Sequence, residues 1–521
     1  MAERARPLSL GAAAGWLATA GLLLLTVGTT AAVLVRAGAA PRPGPGDWAA
    51  VQFTALQAAA SALISAALAV PVSRALVRRI FPGRGALITL MGAPFLLPGL
   101  VAVIGILEVF GRAGWISRAI APLGLAPLQI YGPAGIILAH VFFNLPLAVR
   151  LILQGWHDIP AERFRLAASL GFGPRDIARL LEWPMLRATL PGAILTIFLI
   201  CLTSFVVALT LGGGPRATTV ELAIYQAFRF EFDPARAAML GAVQFALCLC
   251  ATLATMRFAA GAGFGAGLDR PIRIIVAQAA GARIHDAAIL LMVTAFLSAP
   301  LLAVVLAGLP YLFDLPASLA LAAFRSLIMA VASSALALGI ALALAHVALR
   351  GGPAGKLAEV TGMLSLSASP LVMGTGLFLL LRPLIDPTAV ALPVTVAVNA
   401  AMAVPFVLRI LLPGLREIQA GYGRLSDSLG VTGWPRLRLV TLPRLRRPLG
   451  FAAGLAAALA MGDLGVIALF GDPDRATLPL EVFRLMGAYR TNVAAAGAVV
   501  LLVLSFTLFW ICDRWGRNAR T

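Results

Sequence analysis

The sequence predicts an all-α polytopic membrane protein of about 12 membrane-crossing helices, arranged as two parallel repeats of six. Three observations carry this. Of the 521 residues, 60% are hydrophobic and only 12% are charged, about half the charged share of an ordinary soluble domain. The apolar residues fall into runs close to the ~20 residues that a helix needs to cross a bilayer. The second half of the chain also repeats the first. Backbone polar groups in lipid must be satisfied within the element, so these runs read as helices. The polar–apolar alternation of a membrane β-barrel is absent.

Taken in order, the spans of the first half are 11–35, 52–77, 86–110, 132–154, 188–211 and 235–258. Those of the second are 288–309, 318–348, 358–381, 389–413, 447–470 and 493–512. The first run follows basic residues, as a signal peptide would. It continues to Val35, beyond the roughly 7–15 residues of a signal core, and is read as a retained helix. The chain accordingly divides into an N-terminal helix and loop (1–51), a first transmembrane domain (52–258), a linker with a seventh helix (259–317), a second domain (318–512) and a tail (513–521).

A net charge of +19 does not indicate nucleic-acid binding, because the basic residues punctuate apolar spans instead of covering one soluble face. With the N-terminus inside, most of them fall on inner segments: Arg74 to Arg84, Arg150 to Arg187, Arg257 to Arg283, Arg409 to Arg447, and Arg514 to Arg520. The positive-inside rule then places both termini in the cytoplasm. Cys201, Cys248, Cys250 and Cys512 sit in apolar runs without ligand spacing, so neither a metal site nor a disulfide framework is expected.

The repeat is the most informative feature. NLPLAVR (144–150) matches AVPFVLR (403–409) at an offset of 259, which also lays RLAASLG (165–171) over RLSDSLG (424–430), Pro184 over Pro443, and GGGPRATT (212–219) over GDPDRATL (471–478). Pro94 pairs with Pro370 at a different offset. An even number of spans separates the copies, so they share one orientation, unlike inverted repeats.

Between the fourth and fifth spans of each copy lies a segment too polar to cross lipid. In the first copy Phe164, Ala167, Ala168, Ile177, Leu180 and Leu181 fall at helical spacing, broken by Gly171 and Gly173-Pro174. This reads as helix, turn, helix against the inner face, with an apolar ridge for a groove on a soluble partner.

The segment resembles the EAA loop of ABC-importer permeases: E-A-A, three residues, G, nine residues, I, one residue, L-P. Ala167, Gly171, Leu181 and Pro184 match it in the first copy; Gly430, Val440, Leu442 and Pro443 match it in the second. Both depart at the start, where Arg165-Leu166 and Arg424-Leu425 replace Glu-Ala, and Ser426 replaces the second alanine. The resemblance implies two fused type I transmembrane domains coupled to two copies of a cytoplasmic ATPase through Ala167, Ala168, Gly171, Pro184, Ser426, Gly430 and Pro443. The chain has no G-x-x-x-x-G-K-[ST] phosphate loop, so ATP and magnesium would be held by that separate subunit, and the chain is not expected to be an enzyme.

The stretch LGGGPRATTVELAIYQA (211–227) with FDPARAAML (232–240) resembles proteobacterial thiamine ABC-transporter permeases. That resemblance implies a bacterial inner-membrane subunit importing thiamine, with or without its phosphate esters, from a periplasmic binding protein. A fused ferric-iron permease is the nearest alternative, and a proton-coupled secondary transporter a more distant one. Gly213, Arg216 and Glu221 are candidate contacts for the binding protein, although a turn at 212–215 also suits geometry alone. Ser204, Phe205 and Asp463 are candidates for the translocation path. An ionisable residue within a span costs roughly 2.5–3.5 kcal/mol and so faces a cavity or partner, and thiamine is a cation. The default role of His140, Asn144, His346 and Asn399 is hydrogen bonding between helices.

Overall fold

Prolines, glycines and one aspartate decide where the apolar runs stop being continuous helix. The computed structural model describes residues 10–37, 42–212, 214, 217–258, 280–365, 368–431, 433–470 and 475–517, whose regular structure is all helical. Eleven of the described helices are long and apolar enough to cross a membrane, and the shorter apolar helix Pro370–Leu381 completes the expected set.

The first half contains α1 (Ala13–Ala37), α2 (Pro45–Arg78), α3 (Gly99–Phe110), α4 (Pro133–His157), α5 (Ala161–Ser169), α6 (Trp183–Leu202), α7 (Phe205–Leu211), α8 (Val220–Arg229) and α9 (Pro234–Phe258). The second contains α10 (Ala280–Gly308), α11 (Ala317–Ala348), α12 (Pro370–Leu381), α13 (Ala391–Ser428), α14 (Leu442–Met461), α15 (Gly465–Phe470), α16 (Leu478–Gly487) and α17 (Thr491–Arg517).

Four expected spans are broken. The 86–110 run splits into Arg84–Leu90, Ala93–Leu96 and α3, because Pro94 and Pro98 bring no N–H to the helical ladder. The 358–381 run splits before α12, where Ser369 Oγ accepts from Val372 N at 3.1 Å and Pro370 takes the first helical position, a favourable start. The 188–211 run breaks at Thr203-Ser204, and the 447–470 run breaks at Gly462 to Leu464.

Other features repeat at the offset of 259. A π-helical turn spans Ala178–Glu182 in one copy and Leu437–Thr441 in the other. Each lies just before Pro184 or Pro443, whose missing donor and bulky ring exclude a regular α-turn there. One difference separates the copies. Pro160 starts α5 after a break that ends α4 at His157. Its counterpart Gln419 has an N–H to give, so α13 runs without interruption for 38 residues. The expected helix–turn–helix is therefore a separate first helix in the first copy only. In both copies the second helix continues through the π-turn into the span.

The register of α3 and α12 corrects the expected pairing of Pro94 with Pro370. Gly99 and Pro370 both take the first helical position, and Gly105 and Gly376 both lie six residues further on. A Cβ on Gly105 would lie 2.3 Å from the Pro300 carbonyl oxygen of α10, and one on Gly376 would lie 2.5 Å from that of Thr29 in α1. These close contacts show an exchange of helices. The helix preceding the first repeat, α1, packs on α11 and α12 of the second, and α10 packs on α2 and α3 of the first.

Candidate coupling and translocation site

The coupling segments are built alike. Gly171 and Gly430 end their helices at φ of +69° and +67°. The amides of Phe172 and Val431 then donate to Ala167 O and Ser426 O, at 3.0 and 2.9 Å. This is a left-handed helix cap, which glycine adopts without the penalty a Cβ brings. Ala167 and Ser426 are buried, whereas Ala168, Pro184 and Pro443 are exposed.

The ridge available to a partner differs from the expected one. Phe164, Ala167 and Ile177 are buried against the chain itself. The large apolar side chains left exposed include Leu166, Leu170 and Leu180, with Leu425, Leu429 and Leu439 at the same three positions of the second copy, besides Trp183, Tyr422 and Trp434. Three leucines are thus exposed twice, at matching positions of the two copies. The offset and the i, i+4 spacing of 166 and 170 were present in the sequence. Only the fold reveals which side of the helix is already covered.

The first segment is also tied to the membrane domain. Glu182, in the π-turn, is almost fully buried and lies 3.0 Å from Arg74 Nε and 3.2 Å from Arg78 Nη2 of α2. Its counterpart is Thr441, and the second segment is held within itself, by Arg436 to Asp427 at 3.0 Å and to Gln419 Oε1 at 2.7 Å. The sequence offered no signal for this pair, because Glu182 and Arg78 are separated by about a hundred residues and meet only in the fold.

All four helix breaks converge between the halves. A Cβ on Gly462 would meet Pro98 Cα at 2.9 Å, Gly99 lies against Val206, and Gly465 lies near Phe205 and Pro370. Beside them is a cavity of about 250 Å³, lined by Leu97, Pro98, Val206, Asn399, Phe406 and Asp463 among others. Met402, Phe406 and Ala458 put the cavity on the coupling-segment side of the breaks. On the opposite side aromatic rings fill the space: Phe205 on Tyr225 with centroids 5.3 Å apart, and Phe228 on Phe378 at 4.5 Å. The space between the halves is thus filled by rings on one side of the breaks and holds the cavity on the side of segments 161–187 and 420–446.

Of the expected path residues, Asp463 lines the cavity directly. Its Oδ1 accepts from Gly465 N at 3.2 Å, and its carboxyl also accepts from the Val466 amide and the Asn399 side chain. Ser204 stands at the equivalent break. Phe205 is buried among the aromatic rings, and its neighbour Val206 lines the cavity in its place. Glu221 is not a surface contact, since it is only 1% exposed. It accepts from Gln244 Nε2 at 3.1 Å, and burial pushes its carboxyl up to about 7. The first turn of amphipathic α8 faces inward, and position 221 lies on that buried face. Gly213 and Arg216 lie outside the described residues. Asn399, expected to bond a neighbouring helix, does so with Asp463 and also lines the cavity.

The family described as "Binding-protein-dependent transport system inner membrane component" matches residues 335–520. The thiamine transport system permease protein ThiP of Brucella abortus is 40% identical over 516 residues, covering 96% of this chain and 94% of that protein. The protein of the same name from Escherichia coli is 42% identical, with 91% and 90% covered. That of Haemophilus influenzae is 36% identical, with 88% and 87% covered. At 40–42% identity over more than nine-tenths of its length, and with an all-helical repeat of spans, this chain belongs to the thiamine transport system permease family of binding-protein-dependent transporters.

Proposed function

We propose that the chain forms the translocation path of an ATP-driven importer in the bacterial inner membrane, carrying thiamine, with or without its phosphate esters, to the cytoplasm. The observation that carries this reading is the 40% identity to a thiamine transport permease across 96% of the chain. Both termini lie in the cytoplasm, where two copies of an ATPase subunit bind ATP with magnesium and seat the two coupling segments. A periplasmic binding protein delivers the cargo to the outer side.

The geometry supports the following mechanism. Closure of the ATPase pair moves Leu166, Leu170 and Leu180 in one copy and Leu425, Leu429 and Leu439 in the other. In the first copy Glu182 transmits that motion to α2 through Arg74 and Arg78. In both copies the second coupling helix is continuous with α6 or α14, so the breaks at Ser204 and Asp463 move with it. The aromatic closure opens, cargo enters past Ser204, Phe205 and Asp463, and hydrolysis restores the inward-widening state. No bond in the cargo changes.

The test is uptake of labelled thiamine and labelled ferric iron into cells lacking this chain, before and after its restoration. Restoration of thiamine uptake alone supports the reading, whereas restoration of iron uptake alone replaces the cargo. Leu166→Ser with Leu425→Ser is expected to lower uptake at least tenfold and to release the ATPase on co-purification. Retention of full ATPase stoichiometry by that variant would remove the ridge from the docking surface.

A further inference from the structure

We infer that charge recognition in the path is one-sided: Asn399 and Asp463, both from the second half, form a subsite for an organic cation, while the first half supplies an apolar wall. This rests on the reading of the chain as a permease with a cationic cargo.

Asn399, buried, and Asp463 lie side chain to side chain where the halves meet, the amide hydrogen-bonded to the carboxyl. Both residues line the 250 Å³ cavity, and both also line the small cleft on its outer side, with Ser326, Thr395 and Thr477. They therefore stand at the boundary between the ring-filled side and the cavity. Asp463 is the only charged residue among those lining either space. A carboxyl group without a counter-ion in a span is costly, and a cation arriving in the cavity removes that cost.

The first half has no equivalent. At the offset of 259, Asp463 corresponds to Ser204 and Asn399 to His140. His140 is buried with its Nδ1 3.3 Å from Ser61 Oγ, and does not line the cavity. The first-half lining is Leu97, Pro98, Gly99 and Val206. Gly462 presses the subsite against Pro98 of that wall, so any separation of the halves changes the width of the site. A path that recognises charge on one side holds its cargo weakly enough to release it.

The experiment uses the complete transporter in proteoliposomes, with binding protein loaded either with thiamine or with its uncharged isostere, in which carbon replaces the thiazolium nitrogen. Loading of both is checked first. Asp463→Asn is expected to lower thiamine transport at least tenfold while changing transport of the uncharged isostere less than threefold. Adding Ser204→Asp to Asp463→Asn is expected to leave thiamine transport low. Thiamine transport by Asp463→Asn within twofold of wild type, equal loss of both cargoes, or recovery with Ser204→Asp would each overturn the proposal. Failure of the wild type to carry thiamine would overturn the cargo reading itself, and so is distinguishable from these.

Discussion

Glu182→Ala is expected to cost about 1–3 kcal/mol of stability, because it leaves Arg78, mostly buried, without its nearest counter-charge. Glu182 bridges both arginines from inside the π-turn and is only 4% exposed. Removing one partner of a buried pair costs far more than the pair contributes net, since the remaining charge keeps its desolvation penalty. Thermal unfolding of the purified protein in detergent measures the effect. Thr441→Ala is the internal control, because it alters the equivalent position of the second copy where no such pair exists. Its expected cost is within about 0.5 kcal/mol. Equal melting of the two variants would show that Glu182 does not anchor the segment.

Gly105→Leu and Gly376→Leu are each expected to cost about 3 kcal/mol or more, at the upper end of overpacking effects. Each glycine brings its helix against the backbone of an exchanged helix: 2.3 Å from a built Cβ to Pro300 O in one case and 2.5 Å to Thr29 O in the other. A flexible side chain can move aside, but a helix backbone moves only if the whole helix retreats. Gly376→Leu is expected to expose α1 to protease, and Gly105→Leu to expose α10. Gly339→Leu in α11 meets nothing within 4 Å and is expected to be neutral or to stabilise by up to ~1 kcal/mol through helix propensity. Limited proteolysis with thermal unfolding separates these outcomes, and intact α1 and α10 in the two variants would refute the exchange.

Much of the coupling site was legible before folding. A glycine in a left-handed cap and a proline at the second residue after a π-turn impose local backbone geometry. Gly171, Gly430, Pro184 and Pro443 could therefore be found by spacing alone. The apolar ridge was legible as a periodicity but not as a direction. Periodicity says which residues share a helix face, whereas burial of Phe164 and Ile177 depends on what packs beneath them. Glu221 shows the same limit. Its place beside a loop suggested an exposed contact, but it begins an amphipathic helix whose first turn faces inward.

What the sequence determined by itself was every property that follows from transfer out of water or from local backbone chemistry. These are the membrane class, the approximate spans, the like-oriented repeat and the cap at each coupling glycine. Tertiary structure alone decided which residues meet across the halves: the exchange of α1 and α10, the Glu182 anchor, and the convergence of Pro98, Pro370, Val206 and Asp463 at one cavity. The reason is physical. Between helices in lipid no apolar face is favoured over another by hydrophobicity, so partners are selected by close packing and buried polar contacts. Those depend on distances between residues hundreds of positions apart, which no local pattern encodes.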